Sequence, residues 1–122
     1  MKLNNQQIYE YGQKLAIFSN NNSKMPVRIN FYLQKNIQTV TWAAEEIERV
    51  RLDLAAQYGV INETQTGYDI PSENIPIINK ELNDLFGLEQ ELNIHQFKLS
   101  DFDDIELTYQ ELSAIMFMIE ED

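Results

Sequence analysis

The sequence of 122 residues contains no cysteine and only one histidine. The absence of cysteine excludes disulfides, zinc–thiolate centres and thiol catalysis, and it suits a reducing compartment. The single histidine, His95, has no second histidine with which to bind a metal ion, so we expect a structural or surface role for it. Neither a metal ion nor a cofactor is expected.

Long apolar runs and catalytic motifs are absent as well. The run IMFMI at residues 115–119 is far shorter than the roughly 18 residues that a membrane-spanning helix needs. The opening MKLNNQQIYE has no basic region followed by an apolar stretch, so a signal peptide is not expected. The sequence also lacks the GxSxG, Walker, dinucleotide-binding and HExxH motifs. These absences predict a protein that is not an enzyme and does not enter a membrane.

Positive charge is scarce in the second half of the chain, and the net charge is −11. Residues 1–60 hold seven Lys and Arg against five Asp and Glu, a balance of +2, whereas residues 61–122 hold two against fifteen, a balance of −13. Such a half repels phosphate, so direct nucleic-acid binding is not expected. Its acids form either a solvated face or a surface for a basic partner. In the second case they can occupy that partner's nucleic-acid site.

The length and the local patterns of the sequence predict one mainly α (α+β) domain over residues 1–122. Two segments have the spacing of a capping box, in which two side chains three residues apart bond to each other's backbone amides. These are Asn4 with Gln7, and Thr108 with Glu111. The first box predicts a helix up to about Phe18, and the second predicts a helix over residues 108–120.

The longest periodic segment predicts a long central helix over residues 31–58, with Gly59 as its stop. A third short helix is predicted from Asn74, its N-cap, to Gly87, with Pro76 in the first turn. On the central helix, the spacing of Glu45 and Arg49 favours an ion pair. Trp42 lies off the apolar stripe of this helix, so it either makes a second contact or is partly exposed.

The remaining segments predict one or two short strands or a small hairpin. Alternation in MPVRINF, residues 25–31, indicates a short extended piece after a polar loop at residues 19–24. A loop or short hairpin is predicted around Gly67. Over residues 92–99 the alternation changes parity, which predicts a strand with a bulge near His95 or Gln96.

The acidic connector, residues 101–106 (DFDDIE), is the first candidate binding segment. It carries four carboxylates: Asp101, Asp103, Asp104 and Glu106. A calcium loop counted from Asp101 requires glycine at its sixth position and glutamate at its twelfth, where this chain has Glu106 and Leu112. We therefore expect an exposed connector that contacts a protein partner, not a calcium site.

The predicted last helix is the second candidate. At 100° per residue, the run 115–119 covers the whole circumference of a helix, which is more than one core face requires. We expect a core face made of Leu112, Ile115, Met116 and Ile119. Phe117 or Met118 is then expected to face a partner, because methionine and phenylalanine suit adaptable contacts. On this reading, serine at both of those positions changes association more than folding.

Several stretches together resemble a family of small proteins encoded by phages and prophages of Gram-positive bacteria and classed as a domain of unknown function. They are the opening MKLNNQQI, MPVRINFYLQKNI at the start of the long helix, ENI…INKELNDL, and the closing LSAIMFMIEE. The resemblance covers most of the chain, although residues 60–72 match nothing in it. It implies a phage origin and a place in the bacterial host cytoplasm or on a virion. It transfers no activity and no functional residues.

Three functional classes follow from these observations. The leading one is a non-enzymatic phage accessory with a structural or assembly role, acting by protein–protein interaction. The second is an inhibitor of a host defence or nucleic-acid-binding protein, with the acidic half as a nucleic-acid mimic. The third and least supported is a small hydrolase. The expected partner is a protein, basic in the second class, and self-association is the alternative to a foreign partner.

Overall fold

The computed structural model describes residues 1–18 and 25–120, so the predicted polar loop at 19–24 lies outside the described residues. Within these ranges the chain forms four α-helices and six strands of two or three residues each. A long central helix, three shorter helices and small pairs of strands make up the structure. The mainly α (α+β) class predicted from the sequence is confirmed.

The first strand and helix are joined by the predicted capping box. Strand β1 (Lys2–Asn4) leads directly into helix α1 (Asn5–Leu15). The Gln7 backbone N–H donates to Asn4 Oδ1 at 2.7 Å, and the Asn4 N–H donates to Gln7 Oε1 at 2.9 Å. Leu3 and Ile8, on either side of the cap, are both buried, as a hydrophobic staple requires.

The central helix α2 (Val27–Tyr58) has 32 residues, which gives a length of about 48 Å at 1.5 Å per residue. It begins four residues before the predicted start, so the extended piece predicted at 25–31 is wrong. Pro26 occupies the N-cap position, and the Asn30 N–H donates to the Pro26 carbonyl at 2.9 Å to close the first turn. The helix ends at Tyr58, and Gly59 is its C-cap, which agrees with the predicted stop.

The inner face of α2 packs against α1 and supplies much of the core. Leu33, Val40 and Ile47 of the predicted stripe are buried there. On the outer face Trp42 is 60% exposed, which answers the question left open by its position off the stripe. Arg49 pairs with Glu46 at 2.7 Å and not with Glu45 as predicted.

After α2 the chain forms the predicted hairpin and then the third helix. Strands β2 (Val60–Ile61) and β3 (Tyr68–Asp69) pair antiparallel around the turn that contains Gly67. Helix α3 (Ile75–Gly87) starts after Asn74, the predicted cap residue. The Asn74 side chain, however, donates to the Tyr58 carbonyl at 2.9 Å. It therefore ties the start of α3 to the end of α2.

The predicted bulged strand over residues 92–99 is wrong, because this part of the chain changes partner instead of bulging. Strand β4 (Glu89–Glu91) pairs antiparallel with β1. Strand β5 (Phe97–Lys98) pairs parallel with β6 (Ile119–Glu120) near the end of the chain. The change of parity in the sequence corresponds to the irregular stretch between these two separate pairings.

The last helix starts as predicted but is shorter. Thr108 and Glu111 form their capping box, with hydrogen bonds of 3.0 and 3.1 Å, and helix α4 (Tyr109–Ile115) follows. A 3-10 turn (Met116–Met118) then leads into β6. The predicted continuation of the helix to residue 120 is wrong, because Ile119 pairs with Phe97 in a strand.

Candidate interaction surfaces

The apolar run at 115–119 is placed differently from the prediction. Met118 and Ile115 are completely buried, whereas Met116 is 51% exposed. The predicted positions of Met116 and Met118 are therefore reversed, because a 3-10 turn with three residues per turn replaces the α-helical periodicity. Phe117 is half-buried and stacks on Tyr11, with ring centroids 4.1 Å apart. In this structure Met118 offers no surface to a partner.

The acidic connector lies on the surface, as predicted. Asp103, Asp104 and Glu106 are exposed, and none of them forms an ion pair with a residue in the described ranges. Asp101 is different, because it is half-buried and its carboxylate accepts a hydrogen bond from the Lys98 N–H at 3.0 Å. Asp101 therefore supports the local backbone, and the other three carboxylates form the accessible surface.

His95 lies in an aromatic cluster. Its ring stacks on Tyr32 with centroids 4.0 Å apart, and the edge of Phe97 meets it at 4.9 Å. This environment agrees with a structural role. Across residues 1–18 and 25–120, no group of three or more His, Asp and Glu side chains is arranged to hold a metal ion.

A third surface was missed by the sequence analysis. The hairpin groove lies between the C-terminal end of α2, the β2–β3 hairpin and α3. Its apolar lining consists of Leu52, Ala55, Tyr68, Ile70, Ile75, Ile78 and Leu82. Three of these side chains remain well exposed: Leu52 at 48%, Tyr68 at 39% and Ile75 at 43%. The groove therefore presents large apolar side chains to solvent.

The hairpin lies close against the end of α2. A Cβ built on Gly59 would lie 2.8 Å from Ile70 Cδ1 and 3.1 Å from the Asp69 carbonyl oxygen, so the hairpin packs directly on the helix end. The loop of the hairpin is ordered by Asn62, whose Oδ1 accepts from the Thr66 N–H at 3.0 Å. The groove is therefore a formed surface of the fold.

Further apolar side chains lie next to the groove in the sequence. Val60 and Ile61 in β2 are 59% and 62% exposed, and Ile77 in α3 is 45% exposed. A hairpin with two residues per strand is too short to bury one face, so its strand-forming side chains stay at the surface. The adjacent apolar residues Val60 and Ile61, in a strand too short to bury them, are the sequence signal that identifies this surface.

Arg51, the cation in the groove lining, is neutralised by its own helix. It donates from both Nε and Nη2 to the Glu48 carboxylate, with 2.9 Å between Nε and Oε2. The Tyr9 hydroxyl donates to the same carboxylate at 2.8 Å. These hydrogen bonds lower the pKa of Glu48 to about 2, and the bond from Arg51 contributes most to this shift. The hydrogen bond to Glu48 in turn raises the pKa of Tyr9. The cluster links α1 to α2.

Helices in the described ranges are either too short or too polar to cross a membrane. Comparison of the chain with protein-family models, curated proteins and solved structures found no match in any of the three.

Proposed function

We propose that this protein acts without catalysis, by binding another protein, in a structural or assembly role. The observation that supports the proposal is the hairpin groove, in which Leu52, Tyr68 and Ile75 stay exposed beside Val60 and Ile61. Exposed apolar side chains that cluster at one place mark a protein contact more often than scattered ones, which are ordinary on monomeric proteins. The resemblance to phage proteins suggests the setting, an infected bacterial cell or a virion.

The chemistry of the groove suggests the kind of segment that binds it. Its lining is mostly apolar, with Thr66 and Asn79 as neutral polar members, and its one lining cation, Arg51, is already paired with Glu48. A partner segment with two or three large apolar anchor side chains therefore suits it. The negative balance of residues 61–122 favours basic residues around those anchors, since opposite charges accelerate association and help to select the partner.

The test compares partner capture by two double variants with matched chemistry. Tyr68→Ser with Ile75→Ser alters the groove, and Tyr109→Ser with Leu88→Ser alters exposed side chains elsewhere, 85% and 58% accessible. Each protein is immobilised, and proteins captured from infected and uninfected host lysate are identified by mass spectrometry. We expect the groove variant to lose a protein that the unmodified chain and the control both retain. Identical capture by all three would refute the groove as the binding surface.

A second candidate function is inhibition of a host nucleic-acid-binding or defence protein by mimicry of nucleic acid. The observation that favours it is the acidic connector, where Asp103, Asp104 and Glu106 are exposed without ion pairs in the described ranges. Three carboxylates within four residues resemble the charge of a phosphate backbone. Binding of this kind weakens steeply as salt rises.

Charge reversal tests the mimicry. One triple variant carries Asp103→Lys, Asp104→Lys and Glu106→Lys. The control triple variant carries Glu10→Lys, Glu63→Lys and Glu73→Lys, at three exposed acids elsewhere. Both triple variants change the net charge equally. If mimicry operates, the connector variant alone releases the basic host protein at low salt. Equal binding by both variants would instead mean that only total charge matters, or that the connector is just solvated.

A further inference from the structure

The outer face of α2 carries a further surface, which shares no residue with the hairpin groove. We refer to it as the outer stripe, and its members follow each other at steps of three or four residues. They are Arg28, Phe31, Lys35, Gln38, Trp42, Glu45, Arg49 and Asp53, all of them exposed. The stripe lies opposite the buried face of the same helix, which contains Leu33, Val40 and Ile47. It extends over most of the longest element of the fold.

Two aromatic side chains on the stripe are largely uncovered. Phe31 is 55% exposed and Trp42 is 60% exposed. An aromatic side chain presents about 150–250 Å² of surface, so these two leave roughly 200–250 Å² in contact with water. Eleven residues, or three helical turns, separate them on one face. A single partner lying along the helix therefore covers both.

The stripe also holds four charges that have no ion-pair partner in the described part of the chain. Arg28 and Lys35 lie in its first half, and Glu45 and Asp53 in its second. Arg49 is engaged with Glu46, which leaves Glu45 without the partner that the sequence predicted for it. The stripe is thus positive at one end and predominantly negative at the other.

These charges are arranged symmetrically about Val40. Lys35 and Glu45 each lie five positions from it, and Arg28 and Asp53 lie twelve and thirteen positions away. When two copies of α2 run antiparallel about a two-fold axis that crosses the outer stripe at the level of Val40, Lys35 and Arg28 of one copy face Glu45 and Asp53 of the other. In a parallel pair in register, each charged residue faces the same residue of the other copy and therefore a charge of the same sign. The charge pattern therefore complements itself only in the antiparallel arrangement.

The aromatic residues fit the same arrangement. Phe31 and Arg49 each lie nine positions from Val40, so the ring of one copy faces the guanidinium of the other, a favourable cation–π geometry. Within one chain, Lys35 Nζ already lies 5.3 Å from the Phe31 ring centroid, which shows that a cation is accommodated there. Trp42 and Gln38 lie two positions on either side of Val40, next to the two-fold axis.

We infer that the protein forms a dimer in which α2 packs antiparallel against α2 of a second copy through the outer stripe. A strip of helix about 40 Å long and about 12 Å wide covers about 500 Å² per copy. Standard interfaces bury about 800 Å² per partner, so the expected dimer is reversible and of micromolar affinity. The inference does not rest on the proposed function, because the two surfaces are separate.

The first test is how the oligomeric state depends on protein concentration. Trp42 is the only tryptophan in the chain, so its emission reports directly on the stripe. Between about 1 µM and about 500 µM, a range that brackets a micromolar dissociation constant, sedimentation velocity is expected to show conversion from monomer to dimer. The tryptophan emission should shift to shorter wavelength over the same range. A monomer with constant emission throughout overturns the inference.

Charge exchange tests the orientation. Lys35→Glu and Glu45→Lys, made separately, place like charges opposite each other at two symmetric contacts, so each is expected to raise the dissociation constant about tenfold. The two changes together restore opposite charges only in the antiparallel dimer, and should return the constant to within about threefold of the original. Lys80→Glu, on an exposed residue of α3, is the control and should change little.

Trp42→Ser provides a second route to the same answer. Because the side chain is mostly exposed, the variant should keep the unfolding free energy of the original chain and lose the dimer. A dimer that survives Trp42→Ser, or double charge exchange that fails to rescue association, overturns the outer stripe as the interface. A monomeric chain whose groove variant still loses its captured partner would overturn this inference and leave the proposed function standing.

Discussion

The buried side-chain amide of Asn36 forms a closed pair of hydrogen bonds with the backbone of His95. Asn36 Nδ2 donates to the His95 carbonyl at 2.8 Å, and the His95 N–H donates to Asn36 Oδ1 at 2.8 Å. The same Nδ2 lies 3.3 Å from Met118 Sδ. The amide thus takes the place of a strand neighbour for His95, and its contact with Met118 joins α2 to the C-terminal turn.

Replacing Asn36 with alanine should destabilise the fold more than any other polar truncation on α2. The variant leaves the His95 N–H and carbonyl without partners beside a small cavity, since Asn36 is 1% exposed. Such losses cost about 2–4 kcal/mol of unfolding free energy. Urea unfolding followed by circular dichroism measures the difference.

The control for this prediction is Asn93→Ala, an exposed asparagine in the segment that Asn36 holds. Its unfolding free energy should stay within about 0.5 kcal/mol of the original. Equal losses of unfolding free energy in the two variants would show that the hydrogen bonds between Asn36 and His95 do not stabilise the fold.

Asn36 also shows where reasoning from sequence stops. It lies three residues after Leu33 and four before Val40, so helical periodicity places it on the inner face. Its polarity argues against burial unless a partner satisfies the amide. That partner is the backbone of His95, 59 residues away in an irregular segment. No local pattern identifies such a partner.

The two capping boxes, by contrast, were predictable because each is complete within four residues. Asn4 with Gln7 and Thr108 with Glu111 form the expected hydrogen bonds. The end of the last helix depends instead on Phe97, whose strand pairs with Ile119 and replaces helical turns. The hairpin groove likewise needs three elements that are brought together only by the fold.

Met118→Ala should destabilise the protein strongly, and Met116→Ala should not. Met118 is completely buried and Met116 is 51% exposed. Truncating a buried methionine to alanine costs about 2–5 kcal/mol, whereas a change at an exposed position stays within about 0.5 kcal/mol. Thermal unfolding of both variants provides the measurement.

A Phe117→Ser/Met118→Ser double variant addresses the role that the sequence suggested for these two residues. Because Phe117 stacks on Tyr11 and Met118 lies in the core, the double variant is expected to lose the native fold. If it stays folded and only its association changes, the buried placement of this turn is incorrect.

Gly59→Ala should destabilise the junction between α2 and the hairpin. The φ angle of Gly59 is −117°, which any residue adopts, so the effect comes from contact alone. The added methyl group would lie 2.6 Å from the Ala55 carbonyl oxygen, a backbone atom that cannot move without disturbing the helix end. We expect a loss of about 1–3 kcal/mol in unfolding free energy.

Gly87→Ala is the matched control, because a Cβ at Gly87 meets no other atom within 4 Å. There the substitution reduces the freedom of the unfolded chain and should be neutral or stabilise by up to about 1 kcal/mol. Chemical denaturation of the two variants side by side measures the contrast. Two results of the same sign and size would mean that the close approach at Gly59 leaves no room problem for a methyl group.

The Glu48 carboxylate should make the link between α1 and α2 sensitive to acid. Its pKa is about 2 in the folded protein, against 4.5 as its ordinary value, because Arg51 and Tyr9 hydrogen-bond to its charged form. A lowered pKa means that the stabilisation is fully present above about pH 4.5 and is lost as the pH falls toward about 2. With a third of the side chain exposed, solvent screening limits the contribution to about 1 kcal/mol.

Glu48→Gln removes this titration while it keeps the size of the side chain. The difference in unfolding free energy between the original chain and the variant should be about 1 kcal/mol at pH 7 and should shrink toward zero near pH 2. Glu63→Gln, at an exposed residue without an ion pair in the described ranges, should show no such trend. Tyr9→Phe should reproduce part of the effect, because the Tyr9 hydroxyl supplies one of the bonds that lower the pKa of Glu48. A Glu48→Gln difference that is flat from pH 7 to pH 2 would show that the cluster is too well solvated to stabilise the helix pair.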